Sequence, residues 1–181
     1  VLGAIGVLGT LTVNFPWLLG AVWVGAAGRD PAALARTLDL GADATVDLSA
    51  TDDLTAGDLT AALRAAAGGP VDVVVDLVWG PAAVAALHAC GPGGRHVQVG
   101  QAAAPAAKLA SGPFRAGGAD LLGFSSAHAT VADRAMAYAA LVDHAVAGRL
   151  TVPAERVPLA DVGDAWHRVA QSAHRKLVLV P

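Results

Sequence analysis

The chain has 181 residues, of which 55% are hydrophobic and 15% charged, and its formal net charge is −3. This length suits one domain with a short extension, and so apolar a composition excludes a disordered chain. Because no run of basic residues is present, neither nucleic acid nor a membrane is an expected partner. The single cysteine, Cys90, excludes an internal disulfide and predicts a cytoplasmic location.

The first nine residues, VLGAIGVLG, join a piece of apolar strand to glycines at positions 3, 6 and 9. Glycines at a strand-to-helix turn let the backbone approach phosphate oxygens, which the N-terminal amides of the helix can bind. The segment therefore predicts a dinucleotide site, although glycines that only loosen a strand–helix junction would leave the same pattern. Since almost no strand precedes the motif and the chain has no initiator Met, we expect a C-terminal portion of a larger protein.

Residues 1–28 contain no charged side chain, which leaves a membrane-spanning segment as an alternative. Asn14, Pro16 and six glycines interrupt this stretch, so a buried strand–helix–strand unit is favoured. Pro16 falls inside the first predicted helix, residues 6–19, where it removes an amide donor. We therefore expect this helix to kink or to end early.

Strand and helix patterns alternate along the rest of the chain. The predicted strands are Ala21–Ala27, Ala44–Leu48, Val71–Val78, Arg95–Val99, Leu121–Ser125 and Lys176–Val180. The predicted helices cover residues 31–40, 55–67, 81–90, 131–147 and 161–171. This alternation predicts an α/β fold, with helices on both faces of a mostly parallel sheet. From about Leu150 the rhythm changes, and the last strand must pair with the edge of this sheet, with another chain or with another domain.

The end of the second predicted strand, Gly28-Arg29, bears on the choice of dinucleotide. An NAD site places a carboxylate here to bind the adenosine ribose. A small residue instead leaves room for a 2′-phosphate, which the Arg29 guanidinium can bind bidentately. The sequence thus favours NADP(H) over NAD(H). Asp30 keeps the alternative open, since a one-residue shift would offer its carboxylate, and Arg29 could equally be a solvated turn residue.

Six segments follow the glycine turn in this order: GRDPAALART, LGADATVDL, VDVVVDLVWG, CGPGGRHVQVG, ADLLGFSS and ERVPLADVGDAWHRVAQSAHRKLVLVP. Together with the turn, this series resembles the C-terminal half of medium-chain dehydrogenases/reductases. The resemblance is to their quinone oxidoreductase and zinc-type alcohol dehydrogenase-like branch. It implies a doubly wound, six-stranded Rossmann domain over residues 1–149, with its first strand truncated, and a tail over residues 150–181. The tail would return to an N-terminal, GroES-like catalytic domain that is missing here.

The same resemblance implies an oxidoreductase that transfers hydride between a nicotinamide and a carbonyl, enone or quinone substrate. A fragment without its catalytic domain is expected to be inactive. A non-catalytic nucleotide-sensing or assembly module is the alternative function. An exposed sheet edge would also permit a homodimer.

Candidate cofactor-binding residues come from the glycine turn, from the strand ends and from the resemblance. They are Gly3, Ala4, Ile5, Gly6, Val7, Gly9, Gly28, Arg29, Leu77, Val78, Val99, Gly100, Gln101, Phe124 and Ser125. Residues 77–78 and 99–101 follow strands, at the edge where open α/β sheets bind ligands. By resemblance, the first pair lies over the adenosine, and the second group lies near the nicotinamide together with residues 124–125. An ordinary turn is the competing interpretation for each, and no catalytic residue is assigned.

The histidine spacing gives no support for a metal site. The six histidines show no i, i+4 pair and no adjacent cysteine or carboxylate cluster, so we expect surface or helix-face positions. Zinc is therefore not supported by this chain. Asp76 lies inside a buried strand pattern and is expected to be a hydrogen-bonded structural carboxylate.

Overall fold

The computed structural model describes residues 1–49, 55–171 and 174–181, in which helices and strands alternate. The strands are β1 (Gly25–Gly28), β2 (Ala44–Asp47), β3 (Val71–Asp76), β4 (Cys90–Gln98), β5 (Asp120–Gly123), β6 (Ala154–Pro158) and β7 (Lys176–Val180). The α-helices are α1 (Val7–Leu18), α2 (Pro31–Asp39), α3 (Ala56–Ala67), α4 (Pro81–Ala89), α5 (Ser111–Gly117), α6 (Val131–Val146) and α7 (Val162–Ala170). In this part of the chain, no helix has both the length and the apolar composition needed to cross a membrane.

Strands β1 to β5 form one parallel sheet, and Leu2 joins its two halves. Strand β1 pairs with β2, while β4 pairs with both β3 and β5. Leu2 forms a parallel bridge to Ala27 on one side and to Asp76 on the other. The strand order is therefore β2–β1–Leu2–β3–β4–β5. The predicted α/β, mostly parallel fold is confirmed, with five strands and the bridge at Leu2 in place of six full strands.

Each face of this sheet has its own apolar core, because consecutive residues of a strand point to opposite faces. Ala26 of β1 packs in a cluster with Val13 of α1 and Leu34 of α2. The next residue, Ala27, packs in a second cluster that includes Leu59 of α3. Burying one Val or Leu side chain contributes about 1.5–3 kcal/mol. Helices therefore cover both faces, which makes the sheet doubly wound.

Helix α1 includes Pro16 in its last turn and ends two residues later. Proline has no amide hydrogen, so the carbonyl of Thr12 loses its usual helical partner. The amides of Leu19 and Ala21 then donate to the carbonyl of Pro16, at 2.9 and 3.0 Å, and the chain turns. The predicted helix over residues 6–19 is thus nearly complete, because the proline lies where few helical hydrogen bonds follow it.

The largest differences from the prediction are the starts of two strands and one additional helix. Strand β1 begins at Gly25 rather than at Ala21, because the chain still turns there and the Val24 amide donates to a side chain, Asp43 Oδ2, at 2.7 Å. Strand β4 begins at Cys90 rather than at Arg95, because it already pairs with β3 there. The additional residues are rich in glycine, which has a low strand propensity, and their pairing with β3 has an irregular register. Helix α5 was not predicted, because its sequence SGPFRAG is typical of a loop.

The tail forms a strand–helix–strand unit of its own. Strands β6 and β7 pair in parallel, from Ala154 opposite Lys176 to Pro158 opposite Val180. Helix α7 lies between them in the chain and contacts both strands. The prediction that the last strand has no partner within the tail is therefore wrong. The sequence analysis missed its partner, β6, because a proline stands on each side of residues 154–157, and proline is rare inside paired strands.

Candidate functional site

A cleft of about 760 Å³ opens at the carboxyl ends of β1, β3 and β4. From Leu2 the chain first builds the sheet outward through β1 and β2, and it then returns to build β3, β4 and β5 on the other side. The cleft therefore lies where the strand order reverses. Open α/β sheets bind their ligands at such a switch point.

The glycine turn forms one wall of this cleft and leaves no room for a side chain at Gly3 or Gly9. Gly3 has φ = 76°, and a Cβ there would lie 2.7 Å from Cγ1 of Val78. A Cβ at Gly9 would overlap the carbonyl oxygen of Gly3 and would lie 2.7 Å from Cα of Ala4. Glycine at position 9 therefore lets α1 pack directly against the turn, and glycine at position 3 lets the turn approach the segment after β3.

The N-terminus of α1 opens into the cleft. Gly6 is its N-cap residue, no side chain caps the helix, and its first turn carries no acidic residue. Gly6 and the next three residues all line the cleft. The first amides of a helix have no partner within it and form the positive end of its dipole. This wall can therefore bind an anionic group.

The structure brings most of the predicted site residues together. Those that line the cleft are Gly3, Ile5, Gly6, Val7, Gly9, Gly28, Arg29, Leu77, Val78, Val99 and Gly100. Ala4 is fully buried, and Gln101 is exposed. Phe124 is half-exposed, and Ser125 Oγ accepts the Ala127 amide at 3.3 Å in a local turn. That any of these residues contacts a cofactor stays a prediction.

The edge of the cleft after β1 carries three residues with different roles. A Cβ at Gly28 would lie 2.9 Å from Cγ2 of Ile5, so a larger residue there would force the Ile5 side chain to move. Arg29 is exposed and lines the cleft. Asp30 is the N-cap of α2, and its Oδ1 accepts the Ala33 amide at 2.9 Å. This hydrogen bond is the largest cause that lowers the pKa of the Asp30 carboxyl.

Asp76 and His96 form a fully buried pair at the end of β3. Asp76 Oδ2 lies 3.1 Å from His96 Nε2, and Asp76 Oδ1 accepts the amides of Val78 and Trp79, each at 2.9 Å. The carboxylate thus holds the turn that lines the cleft, and the prediction of a hydrogen-bonded structural carboxylate is confirmed. The expectation of a surface or helix-face position is wrong for His96, because it lies in β4 with β3 and β5 on either side.

Sequence reasoning missed the part of the cleft that comes from the tail. Val169, His174 and Arg175 all line it. His174 Nδ1 lies 3.2 Å from the Ile5 carbonyl oxygen, and its Nε2 lies 3.3 Å from Asp30 Oδ2. Ile5 and His174 are 169 positions apart in the chain. No spacing pattern could have indicated this contact.

Zinc sites in proteins use three or four His, Cys, Asp or Glu ligands. Within the ranges 1–49, 55–171 and 174–181, no three such side chains come together in a metal-binding group. Cys90 is buried and free, and burial raises the pKa of its thiol. The described residues therefore do not fit a zinc site, and we assign no step to zinc.

Comparison with known proteins agrees with this geometry. The zinc-binding dehydrogenase family matches residues 40–179. A candidate alcohol dehydrogenase from Sinorhizobium meliloti is 30% identical, with a TM-score of 0.81 over 100% of this chain and 47% of that chain. AibC is 27% identical, with a TM-score of 0.80 over 99% of this chain and 47% of that chain. No curated protein matches this chain.

Two mycobacterial structures share the fold at lower identity. A quinone oxidoreductase is 24% identical, with a TM-score of 0.85 over 98% of this chain and 54% of that chain. A protein complexed with NADPH is 24% identical, with a TM-score of 0.81 over 99% of this chain and 55% of that chain. This chain thus spans about half the length of these structures. The predicted resemblance is confirmed, and the chain belongs to the zinc-binding dehydrogenase family, as a C-terminal portion of the medium-chain dehydrogenase/reductase type.

Proposed function

We propose that this chain is the cofactor-binding portion of an NADP(H)-dependent oxidoreductase. The observation that carries the proposal is the cleft at the switch point, with an uncapped helix N-terminus on its wall and Arg29 at its edge. Residues 1–149 form the Rossmann domain, and residues 150–181 return to a GroES-like catalytic domain outside this chain. The NADPH complex of a mycobacterial relative supports this class of ligand.

In this proposal the chain binds and orients the dinucleotide. The amides in the first turn of α1 bind the pyrophosphate, because they are unpaired donors at the positive end of the helix. The apolar residues 77–78 cover the adenosine side, and residues 99–101 and 124–125 lie toward the nicotinamide. When bound, the nicotinamide supplies hydride transfer to or from a carbonyl, enone or quinone.

Arg29 binds the 2′-phosphate of the adenosine ribose. Its guanidinium is exposed at the cleft edge, where a planar, permanently charged group can form two parallel hydrogen bonds to a phosphate. NAD(H) lacks this phosphate, so Arg29 should contribute to the binding of NADP(H) alone. This difference gives the proposal a direct test.

The experiment is a titration of the folded chain with NADPH and with NADH, followed by tryptophan-to-nicotinamide energy transfer and by calorimetry. Arg29→Ala should weaken NADPH binding about 10- to 100-fold, since hydrogen bonds to charged groups contribute about 1.5–3 kcal/mol. NADH affinity should change less than about twofold, because the lost guanidinium has no phosphate to bind.

The matched control is Arg134→Ala, which removes the same charge from an exposed position on α6. This variant should leave both affinities unchanged. Equal losses of NADPH and NADH affinity in Arg29→Ala would contradict a phosphate contact. A folded wild-type chain that binds neither dinucleotide would overturn the proposed function.

A further inference from the structure

His174 is held in the cleft by a hydrogen bond to Ile5 and a charge-pair contact with Asp30. Its Nδ1 faces the Ile5 carbonyl oxygen, and its Nε2 faces the Asp30 carboxylate, at 3.2 and 3.3 Å. A carbonyl oxygen can only accept, so Nδ1 is the donor in the contact with Ile5, and this places Nε2 beside Asp30. His174 also has φ = 50°, which is uncommon for a residue other than glycine. The arrangement therefore holds the His174 ring against Asp30.

Asp30 has both carboxylate oxygens engaged in this arrangement. Oδ1 accepts the Ala33 amide at the start of α2, and Oδ2 pairs with His174. A carboxylate that binds the hydroxyls of an NAD ribose must turn its accepting positions toward the ribose, and two of those of Asp30 are already occupied by Ala33 and His174. A carboxylate also repels a 2′-phosphate unless a cation neutralises it. The pairing with His174 removes the feature that would favour NAD(H) at this position.

The other charged groups near Asp30 leave Arg29 available for a phosphate. Arg36 of α2 donates from Nη1 to the Ala32 carbonyl at 3.1 Å. Arg175 lines the cleft, but its Nη1 lies 3.4 Å from Glu155 Oε2. With Asp30 Oδ2 in contact with His174, the exposed side chain of Arg29 stays at this edge of the cleft for an incoming phosphate.

We propose that His174 determines cofactor choice by masking Asp30, so that the cleft selects a 2′-phosphorylated adenosine over an adenosine with a free ribose diol. This inference rests on the proposed dinucleotide function and adds a specificity-determining residue from the tail. His174 acts through Asp30 and need not touch the cofactor. In this inference the contact keeps Asp30, next to Arg29 in the sequence, from binding the ribose of NAD(H).

The test compares His174→Ala, Asp30→Asn and the double variant, each titrated with NADPH and with NADH. His174→Ala should lower the ratio of NADPH to NADH affinity about tenfold, because it frees the Asp30 carboxylate beside the 2′-phosphate. Asp30→Asn should keep the preference for NADPH, since Asn still caps α2 and carries no charge. His167→Ala, at an exposed position on α7, is the control for loss of a histidine.

The double variant separates masking from a general loss of structure. In the Asp30→Asn background, His174→Ala should no longer change the affinity ratio, because the charge that it masks is absent. An unchanged ratio in His174→Ala, or an equal change in both backgrounds, would overturn the inference while leaving the proposed function intact. If the folded wild type binds neither dinucleotide, both proposals fail.

Discussion

Gly9 shows how a single atom can decide whether the glycine turn forms. A Cβ at this position would overlap the Gly3 carbonyl oxygen and crowd Ala4, so backbone atoms would have to move. Overpacking of this kind typically costs about 1–3 kcal/mol. We expect Gly9→Ala to lower the free energy of unfolding by that amount, measured by urea denaturation.

Gly6→Ala is the matched control, because the nearest atom to its added Cβ would be the Gly3 carbonyl oxygen at 3.7 Å, an ordinary contact. Gly6 is an N-cap residue, and replacing glycine by alanine there should cost about 1 kcal/mol or less. If the Gly9→Ala and Gly6→Ala variants had the same free energy of unfolding, this would contradict the close approach of α1 to the turn.

Asp76 and His96 show how far residue-level reasoning extends. Asp76 could be predicted as a structural carboxylate, because VDVVVDLV is typical of a buried strand and a buried carboxylate needs hydrogen-bond partners. Its partner could not be predicted. His96 is 20 positions away in the chain, and only the pairing of β3 with β4 brings the two side chains to 3.1 Å.

At the scale of elements, the tail depends on a contact between α7 and β6. Arg168 Nη2 donates to both carboxylate oxygens of Glu155, each at 2.8 Å. This hydrogen bonding is the largest cause that lowers the pKa of the Glu155 carboxyl below its ordinary 4.5. Each side chain is about one third exposed, so solvent reduces the contribution of the pair.

We expect Glu155→Gln to raise the hydrogen-exchange rates of β6 and β7 at neutral pH. Because the folded-state pKa is the lower one, the stabilisation is complete above the ordinary value of 4.5 and is lost as the pH falls through the folded-state pKa. The difference between the wild type and the variant should therefore shrink as the pH is lowered below about 4.5.

The control for this charge change is Asp161→Asn, an exposed carboxylate in the same tail. It should leave the exchange of β6 and β7 unchanged at every pH. Equal effects of the two substitutions would show that net charge, and not the contact with Arg168, stabilises the tail.

At the scale of the whole molecule, β5 forms one edge of the main sheet and presents apolar side chains. Leu122 in β5 and Phe124 just after it are 44% and 52% exposed, and helix α6, which follows them in the chain, contains no buried residue. An exposed sheet edge with apolar side chains favours pairing with a second copy. We expect the chain to dimerise in a concentration-dependent way, measured by sedimentation equilibrium.

Leu122→Lys should shift this equilibrium toward the monomer, because lysine at a strand edge opposes further pairing. Val22→Lys, an exposed apolar position before β1, should not shift it. A wild-type chain that remains monomeric at every concentration would contradict the expected homodimer.

The sequence by itself determined most of the elements of the sheet and one wall of the site. Three features could be predicted: the glycine turn, most strand and helix positions, and the edge of the cleft after β1. Each depends on local propensities and on residues close together in the chain. The resemblance of ordered segments added the family. Element ends were less readable, as at Gly25 and Cys90, because pairing and local hydrogen bonds decide them.

Only the tertiary structure decided the pairing of β6 with β7, the burial of His96 and the entry of the tail into the cleft. Each depends on groups far apart in the chain, and the contact of His174 with Ile5 joins residues 169 positions apart. Such contacts arise when the chain packs and leave no periodic signal. The glycine turn was therefore readable from the sequence, whereas the charge balance around Asp30 depends on how the tail folds back onto the sheet.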